Sequence, residues 1–121
     1  MEVAGKALIV DDDGELRSLV GKMLSMLGYE VCLAESGETA LTIFFRNKFD
    51  IVLADYEMPG MDGVTLAHRI KRSSPGTRVV LMTGAAKEAV LFRTGTAVDR
   101  VLLKPFTLAE MGETISSASR S

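Results

Sequence analysis

Short aliphatic runs alternate along the chain with segments in which apolar residues recur every three or four positions. The aliphatic runs show little polar alternation, which is typical of strands buried on both faces of a parallel sheet. They predict five strands, at residues 7–10, 30–34, 51–54, 79–82 and 101–103. The segments between and after them predict helices, so strand and helix alternate through the sequence.

The helical segments begin at polar capping residues and carry their apolar residues on one side. Asp13, Ser36 and Asp62 each precede such a segment, and Thr107 with Glu110 has the spacing of a capping box. A shorter helix is predicted over residues 87–93. The side chains expected to face inward are Leu16, Leu19, Val20, Met23, Leu24 and Leu27 in the first helix, Ala40, Leu41, Phe44 and Phe45 in the second, Val64, Leu66, Ala67 and Ile70 in the third, and Leu108, Met111 and Ile115 in the last.

This order of elements predicts an α/β fold with a doubly wound, five-stranded parallel sheet. Helices are expected on both faces, because right-handed crossovers place each helix over the sheet. The 121 residues are enough for a single domain that buries its own core, so we expect one domain over residues 1–121.

Composition and charge indicate where the protein is located and which kinds of partner are not expected. The chain has a net charge of -2 and contains no basic run, so direct binding to nucleic acid is not expected. It lacks an apolar segment long enough to span a bilayer and a basic leader followed by an apolar stretch, so no membrane partner is expected. A single cysteine excludes an internal disulfide, and a cytoplasmic location is the expectation.

Ionisable and hydroxyl side chains follow four of the five predicted strands. Asp11 and Asp12 follow the first strand, Asp55 the third, Thr83 the fourth and Lys104 the fifth. The carboxyl ends of parallel strands meet at one edge of the sheet, so these groups are expected to converge in one crevice. Each residue alone is explained as a turn former, whereas the whole set favours a functional site.

Three clustered carboxylates would repel one another by roughly 4 kcal/mol for each pair about 4 Å apart. Lys104 can neutralise one of them, and a divalent cation can neutralise the remainder. Mg²⁺ prefers oxygen ligands and is usually shared between carboxylates and a phosphate, so the metal and the phosphate belong to one hypothesis. An aspartate can attack a phosphoryl group as a nucleophile, and Gly84 leaves room for that group beside Thr83.

Four motifs surround the residues at the strand ends. They are Val10-Asp11-Asp12-Asp13, Asp55 with Met58-Pro59 and Met61-Asp62-Gly63, Met82-Thr83-Gly84-Ala85, and Lys104-Pro105-Phe106. In this order they resemble the receiver domain of bacterial two-component response regulators. The resemblance covers about residues 6–118, taken as the core of the domain, and it implies a flavodoxin-like sheet with strand order 2-1-3-4-5.

The resemblance implies a role for each site residue. Asp55 would accept a phosphoryl group from a phosphohistidine of a sensor histidine kinase or a phosphotransfer protein, and Thr83 and Lys104 would bind that group. Mg²⁺ would be the cofactor, with four residues as its oxygen ligands, namely Asp11, Asp12, Asp55 and Glu57 through its backbone carbonyl. Pro105 would follow a cis peptide bond.

The implied domain is regulatory and is not an enzyme acting on a separate metabolite, since it catalyses only its own phosphorylation and dephosphorylation. It is expected to be either a free single-domain receiver or the receiver of a longer regulator or hybrid kinase. Many receivers carry Tyr or Phe three residues before the lysine, where this chain has Val101. A signal from the site is therefore expected to travel by backbone shift and repacking rather than by rotation of an aromatic ring.

Two alternative functions remain open at this stage. The first is a pseudo-receiver, an interaction module that does not use phosphate, although the intact acidic cluster argues against it. The second is an aspartate-nucleophile phosphatase, which needs a second acid two residues after the nucleophile. Glu57 stands at that spacing, and it either tunes the lifetime of an acyl phosphate or is a solvated turn carboxylate.

Overall fold

The computed structural model describes residues 4–85 and 87–119, with only the backbone for residues 87–89. Within these residues five strands alternate with five helices, as predicted. The strands are β1 (Gly5–Val10), β2 (Tyr29–Ala34), β3 (Ile51–Asp55), β4 (Arg78–Thr83) and β5 (Arg100–Leu103). The helices are α1 (Gly14–Met26), α2 (Gly37–Arg46), α3 (Gly63–Ser73), α4 (Lys87–Thr94) and α5 (Leu108–Ser119). Residues 1–3, 120 and 121 of the predicted domain lie outside the described part.

The strands form one parallel sheet in the order β2-β1-β3-β4-β5, which confirms the predicted fold class. The chain reverses its direction of travel across the sheet between β1 and β3, which are hydrogen-bonded neighbours. In doubly wound sheets the crevice at this reversal, outside the carboxyl ends of the strands, is the usual place for a ligand. The sheet order therefore brings the ends of β1 and β3 to that place.

Successive strand residues point to opposite faces of the sheet, and each face is covered by helices. Leu8 and Val10 of β1 pack into one apolar cluster with side chains of α2 and α3. Ala7 and Ile9 pack into a second cluster with side chains of α1 and α5. Because both faces are covered, the central strands contain continuous apolar runs at residues 7–10, 51–54 and 79–82, which explains why their sequence lacks alternation.

The predicted capping residues begin their helices. The carboxylate of Asp13 accepts hydrogen bonds from backbone N–H groups at the start of α1, and the side chains of Ser36 and Asp62 do the same at α2 and α3. At α5 the Thr107 hydroxyl accepts from the Glu110 N–H at 3.1 Å while the Glu110 carboxylate accepts from the Thr107 N–H at 2.8 Å. In the described part of the chain every helix is too short or too polar to cross a membrane.

Two of the side chains predicted to face inward are exposed. Leu19 is 48% exposed and Phe45 is 62% exposed. Each directly adjoins a residue that is buried, Val20 and Phe44 respectively, and consecutive residues of a helix point about 100° apart. In these two pairs Val20 and Phe44 occupy the packed face, and Leu19 and Phe45 lie outside it. The strands also extend one or two residues beyond the aliphatic runs, because backbone pairing continues past them.

Candidate functional site

Three carboxylates meet at the carboxyl end of the sheet. β1 and β3 pair with Val10 opposite Ala54, so Asp11 and Asp55, one residue further along, follow neighbouring strand positions. With Asp12, each offers a carboxylate oxygen, and the three oxygens lie within 4.8 Å of one another. Asp11 is fully buried and Asp55 is 7% exposed, whereas Asp12 is exposed. The sequence prediction that these residues converge is thus matched by the geometry.

Hydrogen bonds hold Asp11 in place but leave one of its oxygens unpaired. Arg17 Nη1 donates to the backbone carbonyl of Asp11 at 2.8 Å, and the Asp11 N–H donates to the carbonyl of Ala34 at 3.1 Å. The Asp13 N–H donates to Asp11 Oδ1 at 2.9 Å. Asp11 Oδ2 is buried and has no hydrogen-bond partner among the described residues. Such an oxygen is costly to bury unpaired, so a cation is a suitable partner for it.

The electrostatics of Asp11 also favour a cation. Burial raises the pKa of Asp11 above its usual value of 3.8, and the charges of Asp55 and Asp12 raise it further. The hydrogen bond from the Asp13 N–H and the charge of Lys104 lower the pKa, but the net shift is upward. The fold therefore disfavours the ionised carboxylate unless positive charge is added. Three carboxylates are hard oxygen donors of the kind that Mg²⁺ prefers, so these residues fit that ion.

Lys104 reaches the cluster from the end of β5. Its backbone N–H donates to the carbonyl of Thr83 at 2.8 Å, which continues the pairing of β4 with β5. Its ammonium Nζ lies 2.7 Å from Asp55 Oδ1, and the two side chains are 26% and 10% exposed. The peptide bond between Lys104 and Pro105 is cis, as the resemblance implied. Asp55 is thus the carboxylate with which Lys104 forms an ion pair.

Thr83 provides a hydroxyl beside an open space. The side chain is 1% exposed, and its Oγ1 accepts a hydrogen bond from the Ala85 N–H at 2.9 Å. In this bond the hydroxyl oxygen is the acceptor, so its hydrogen is left for another partner. The next residue, Gly84, is exposed, and a Cβ added there would meet no atom within 4 Å other than those of its two chain neighbours. This part of the site therefore has room for an additional group.

Backbone hydrogen bonds attach the loop after Asp55 to the sheet and to α3. The Tyr56 N–H donates to the carbonyl of Met82 at 2.8 Å, and the Gly63 N–H donates to the carbonyl of Tyr56 at 3.1 Å. A Cβ at Gly63 would collide with the Asp55 carbonyl oxygen, so only glycine lets α3 begin this close to the strand. The Glu57 side chain is exposed, and its carboxylate accepts no hydrogen bond from another described residue.

Sequence reasoning did not identify two arginines that act near this site. Arg17, near the start of α1, donates to the Asp11 carbonyl. Arg93, near the end of α4, contacts Tyr56 and Asp62 on either side of the β3–α3 loop. No local motif marks either contact, because each joins residues from different elements. An open groove of about 430 Å³ lies at this loop and is lined by Tyr56, Glu57, Met58, Pro59, Asp62 and Arg93.

Similarity to known sequences covers most of the chain. A family model described as the response regulator receiver domain matches residues 7–116. The Autoinducer 1 sensor kinase/phosphatase LuxN of Vibrio campbellii is 40% identical over 101 residues, which are 84% of this chain and 12% of LuxN. The response regulator protein FleR of Pseudomonas aeruginosa is 40% identical over 106 residues, which are 86% of this chain and 22% of FleR. The chain spans less than a quarter of either relative.

Similarity to solved structures extends over whole chains. The response regulator protein TrrA of Thermotoga maritima, in complex with Mg(2+)-BeF, is 31% identical with a TM-score of 0.86, and the match covers 98% of this chain and 99% of TrrA. The chemotaxis protein CheY4 of Vibrio cholerae is 26% identical with a TM-score of 0.87, and the match likewise covers 98% and 99% of the two chains.

Proposed function

Because this chain belongs to the response regulator receiver domain family, a regulatory family of two-component systems, we propose that it takes a phosphoryl group from a phosphohistidine onto Asp55. The observation that carries the proposal is the arrangement around this carboxylate. Asp55 is nearly buried at the end of β3, forms a 2.7 Å ion pair with Lys104, and lies beside Asp11 and Asp12. Few structural roles require three acids and one lysine at a single sheet edge.

In the proposed reaction an Asp55 carboxylate oxygen attacks the phosphorus of the phosphohistidine. The new P–O bond forms as the P–N bond breaks, which gives an acyl phosphate on Asp55 and returns the electron pair to the imidazole of the donor. Lys104, already paired with this carboxylate, neutralises charge on the transferred group. The Thr83 hydroxyl, beside the open space at Gly84, donates its hydrogen to a phosphoryl oxygen.

Receiver domains generally bind Mg²⁺ at an acidic pocket, and the unpaired Asp11 Oδ2 supports the same assignment here. Four residues would hold the ion through oxygen atoms, namely Asp11, Asp12, Asp55 and the backbone carbonyl of Glu57. Bound Mg²⁺ would supply positive charge to the carboxylates and the phosphoryl oxygens. The complex of the similar protein TrrA with Mg(2+)-BeF supports this choice of metal.

The proposed partners follow from the family. Receivers in two-component systems interact with histidine kinases or phosphotransfer proteins, and we propose a protein of one of these kinds as the phosphoryl donor. We further propose that residues 6–118 act as one receiver unit. The regulated output would be a change in what the domain binds once Asp55 is phosphorylated, rather than turnover of a metabolite.

The test uses acetyl phosphate as a small phosphoryl donor and intact-protein mass spectrometry as the readout. We expect the wild-type protein to gain one phosphoryl group with Mg²⁺ and none with EDTA, and Asp55→Asn to gain none. Asp50→Asn is the matched control, since Asp50 lies at the opposite end of β3 and asparagine can still accept the hydrogen bond from the Lys6 N–H. Unlabelled wild-type protein would favour the pseudo-receiver function instead.

A further inference from the structure

One side chain of α4 joins that helix to both ends of the β3–α3 loop. Arg93 Nη1 donates to the Tyr56 hydroxyl at 3.1 Å and to Asp62 Oδ2 at 3.0 Å. The guanidinium carbon also lies 5.7 Å from the centre of the Tyr56 ring, within the range of a cation–π contact. We call these three side chains, Arg93, Tyr56 and Asp62, the Arg93 bridge.

Both anchors of the Arg93 bridge are fixed to the site. Tyr56 directly follows Asp55 and its backbone is hydrogen-bonded to β4 and α3. Asp62 uses its other oxygen, Oδ1, to accept from the Thr65 N–H and so begins α3. Partial burial raises the pKa of Asp62, but the hydrogen bonds from Thr65 and Arg93 outweigh it and hold that pKa below its usual value. The Asp62 carboxylate is therefore ionised when it pairs with Arg93.

The remainder of α4 is held less firmly where its side chains are described. Val90 and Thr94 are buried, whereas Leu91 and Arg93 are exposed and Phe92 is 93% exposed. Val90 packs in a small apolar cluster that also contains Tyr56, Val64, Leu81 and Val101. Among the described side chains, Arg93 makes the only polar contact from α4 to the β3–α3 loop, residues 56–62, which we call the acceptor loop. Its loss would leave Val90 and Thr94 as the buried side chains of α4 among those described.

The opposite end of α4 is connected to Thr83. The Ala85 N–H donates to Thr83 Oγ1 at 2.9 Å, and α4 begins two residues later. A phosphoryl group on Asp55 would accept the remaining hydrogen of the Thr83 hydroxyl and draw this side chain toward it, together with the Ala85 N–H that is bonded to Oγ1. The β4–α4 connection would then shift while the β3–α3 loop stays fastened to the sheet. The two partners of the Arg93 bridge would therefore be displaced relative to each other.

On the basis of the proposed phospho-acceptor function, we propose that the Arg93 bridge holds α4 against the acceptor loop before phosphorylation and opens when Asp55 is phosphorylated. The bridge thereby links the state of Asp55 to the position of α4. This route does not need a rotating aromatic side chain at residue 101, where the chain has valine. A contact made in one state only favours that state, and its removal shifts the equilibrium toward the other state by the same factor.

The experiment measures binding of beryllofluoride with Mg²⁺, a probe that imitates the phosphoryl group. Arg93→Met removes the bridge and keeps much of the apolar stem. Since exposed ion pairs are weak, we expect the apparent Kd of this variant for beryllofluoride to be roughly two- to fivefold lower than that of the wild type. We also expect the backbone amides of α4 to exchange hydrogen faster in the unliganded variant. Arg69→Met is the matched control, because Arg69 is exposed on α3 and no hydrogen bond or ion pair joins it to another described residue.

Tyr56→Phe gives a second, smaller perturbation that removes only the hydroxyl, so it should lower the Kd in the same direction. Its effect should nearly vanish when combined with Arg93→Met, because both changes act on one bridge. An unchanged or higher Kd in Arg93→Met, with wild-type binding intact, would overturn the bridge proposal alone. Absence of beryllofluoride binding to the wild-type protein would instead overturn the phospho-acceptor function on which it rests.

Discussion

Replacement of Asp11 by asparagine is expected to stabilise the metal-free protein. The side chain is fully buried, its Oδ1 accepts from the Asp13 N–H, and its Oδ2 lacks a partner among the described residues. Asparagine has the same shape, and its amide oxygen can accept the same hydrogen bond. Its NH₂ group, at the position of Oδ2, would turn hydrogen-bond donors toward Asp12 and Asp55, each of which has a carboxylate oxygen within 4.8 Å of one from Asp11. The substitution therefore removes a buried charge without creating a cavity.

The expected gain in the free energy of unfolding of Asp11→Asn follows from the spacing of the carboxylates. The carboxylate oxygens lie within 4.8 Å of one another, and at this upper limit two like charges repel by roughly 3.5 kcal/mol at an effective dielectric constant near 20. The ammonium of Lys104 offsets part of this repulsion, and water screens the exposed Asp12. We therefore expect a net gain of about 1–2 kcal/mol in the free energy of unfolding. For 121 residues this corresponds to a rise in Tm of about 4–8 °C.

Thermal unfolding followed by circular dichroism provides the assay. In EDTA at neutral pH, Asp11→Asn should melt above the wild type. With Mg²⁺ at ten times its Kd, the wild type should gain about 1.4 kcal/mol from binding, whereas the variant should gain less because it has lost a ligand. A variant that melts below the wild type in EDTA and responds equally to Mg²⁺ would refute the reasoning.

Three further predictions concern neighbouring residues. Lys104→Met should lower the free energy of unfolding by about 2 kcal/mol in EDTA, because Asp55 loses its ion pair, and added Mg²⁺ should restore part of the loss in a melting experiment. Asp62 has a lowered pKa because its hydrogen bonds, including one from Arg93, outweigh its partial burial. It therefore contributes stability that is present above pH 3.8 and lost below it, so the Tm advantage of the wild type over Asp62→Asn should shrink as the pH falls from 7 to about 3. Gly63→Ala should cost about 2 kcal/mol or more in chemical denaturation, because its Cβ would collide with the Asp55 carbonyl.

The sequence was most informative about features that depend on a single physical requirement, such as the burial of a strand on both faces. The central strands are buried on both faces, so their residues must be apolar and the strands could be predicted without any partner information. The grouping of side chains at the strand ends was equally predictable, since a parallel sheet brings the carboxyl ends of all its strands to one edge. The convergence of Asp11, Asp12 and Asp55 follows from that rule and from the neighbouring positions of β1 and β3. The capping box at Thr107 is local and was also predicted correctly.

Features that depend on two distant elements were not predictable from local patterns. Phe45 and Leu19 are apolar residues at positions where helical spacing predicts an inward-facing side chain. Each is exposed, and the buried residue beside it occupies the packed face. The sequence indicated that Lys104 would neutralise a carboxylate without indicating which one, because this depends on the path of its side chain to Asp55. The contacts of Arg17 and Arg93 each require a loop and a helix to be in place first.

The central claim, that Asp55 is the phosphoryl acceptor, is tested most directly by locating the modified residue. The protein is treated with acetyl phosphate and Mg²⁺, the acyl phosphate is reduced with borohydride, and the peptides are mapped by mass spectrometry. We expect the modification to lie on Asp55 and to disappear when Mg²⁺ is removed. Reduction at another residue, or undiminished labelling of Asp55→Asn, would contradict it.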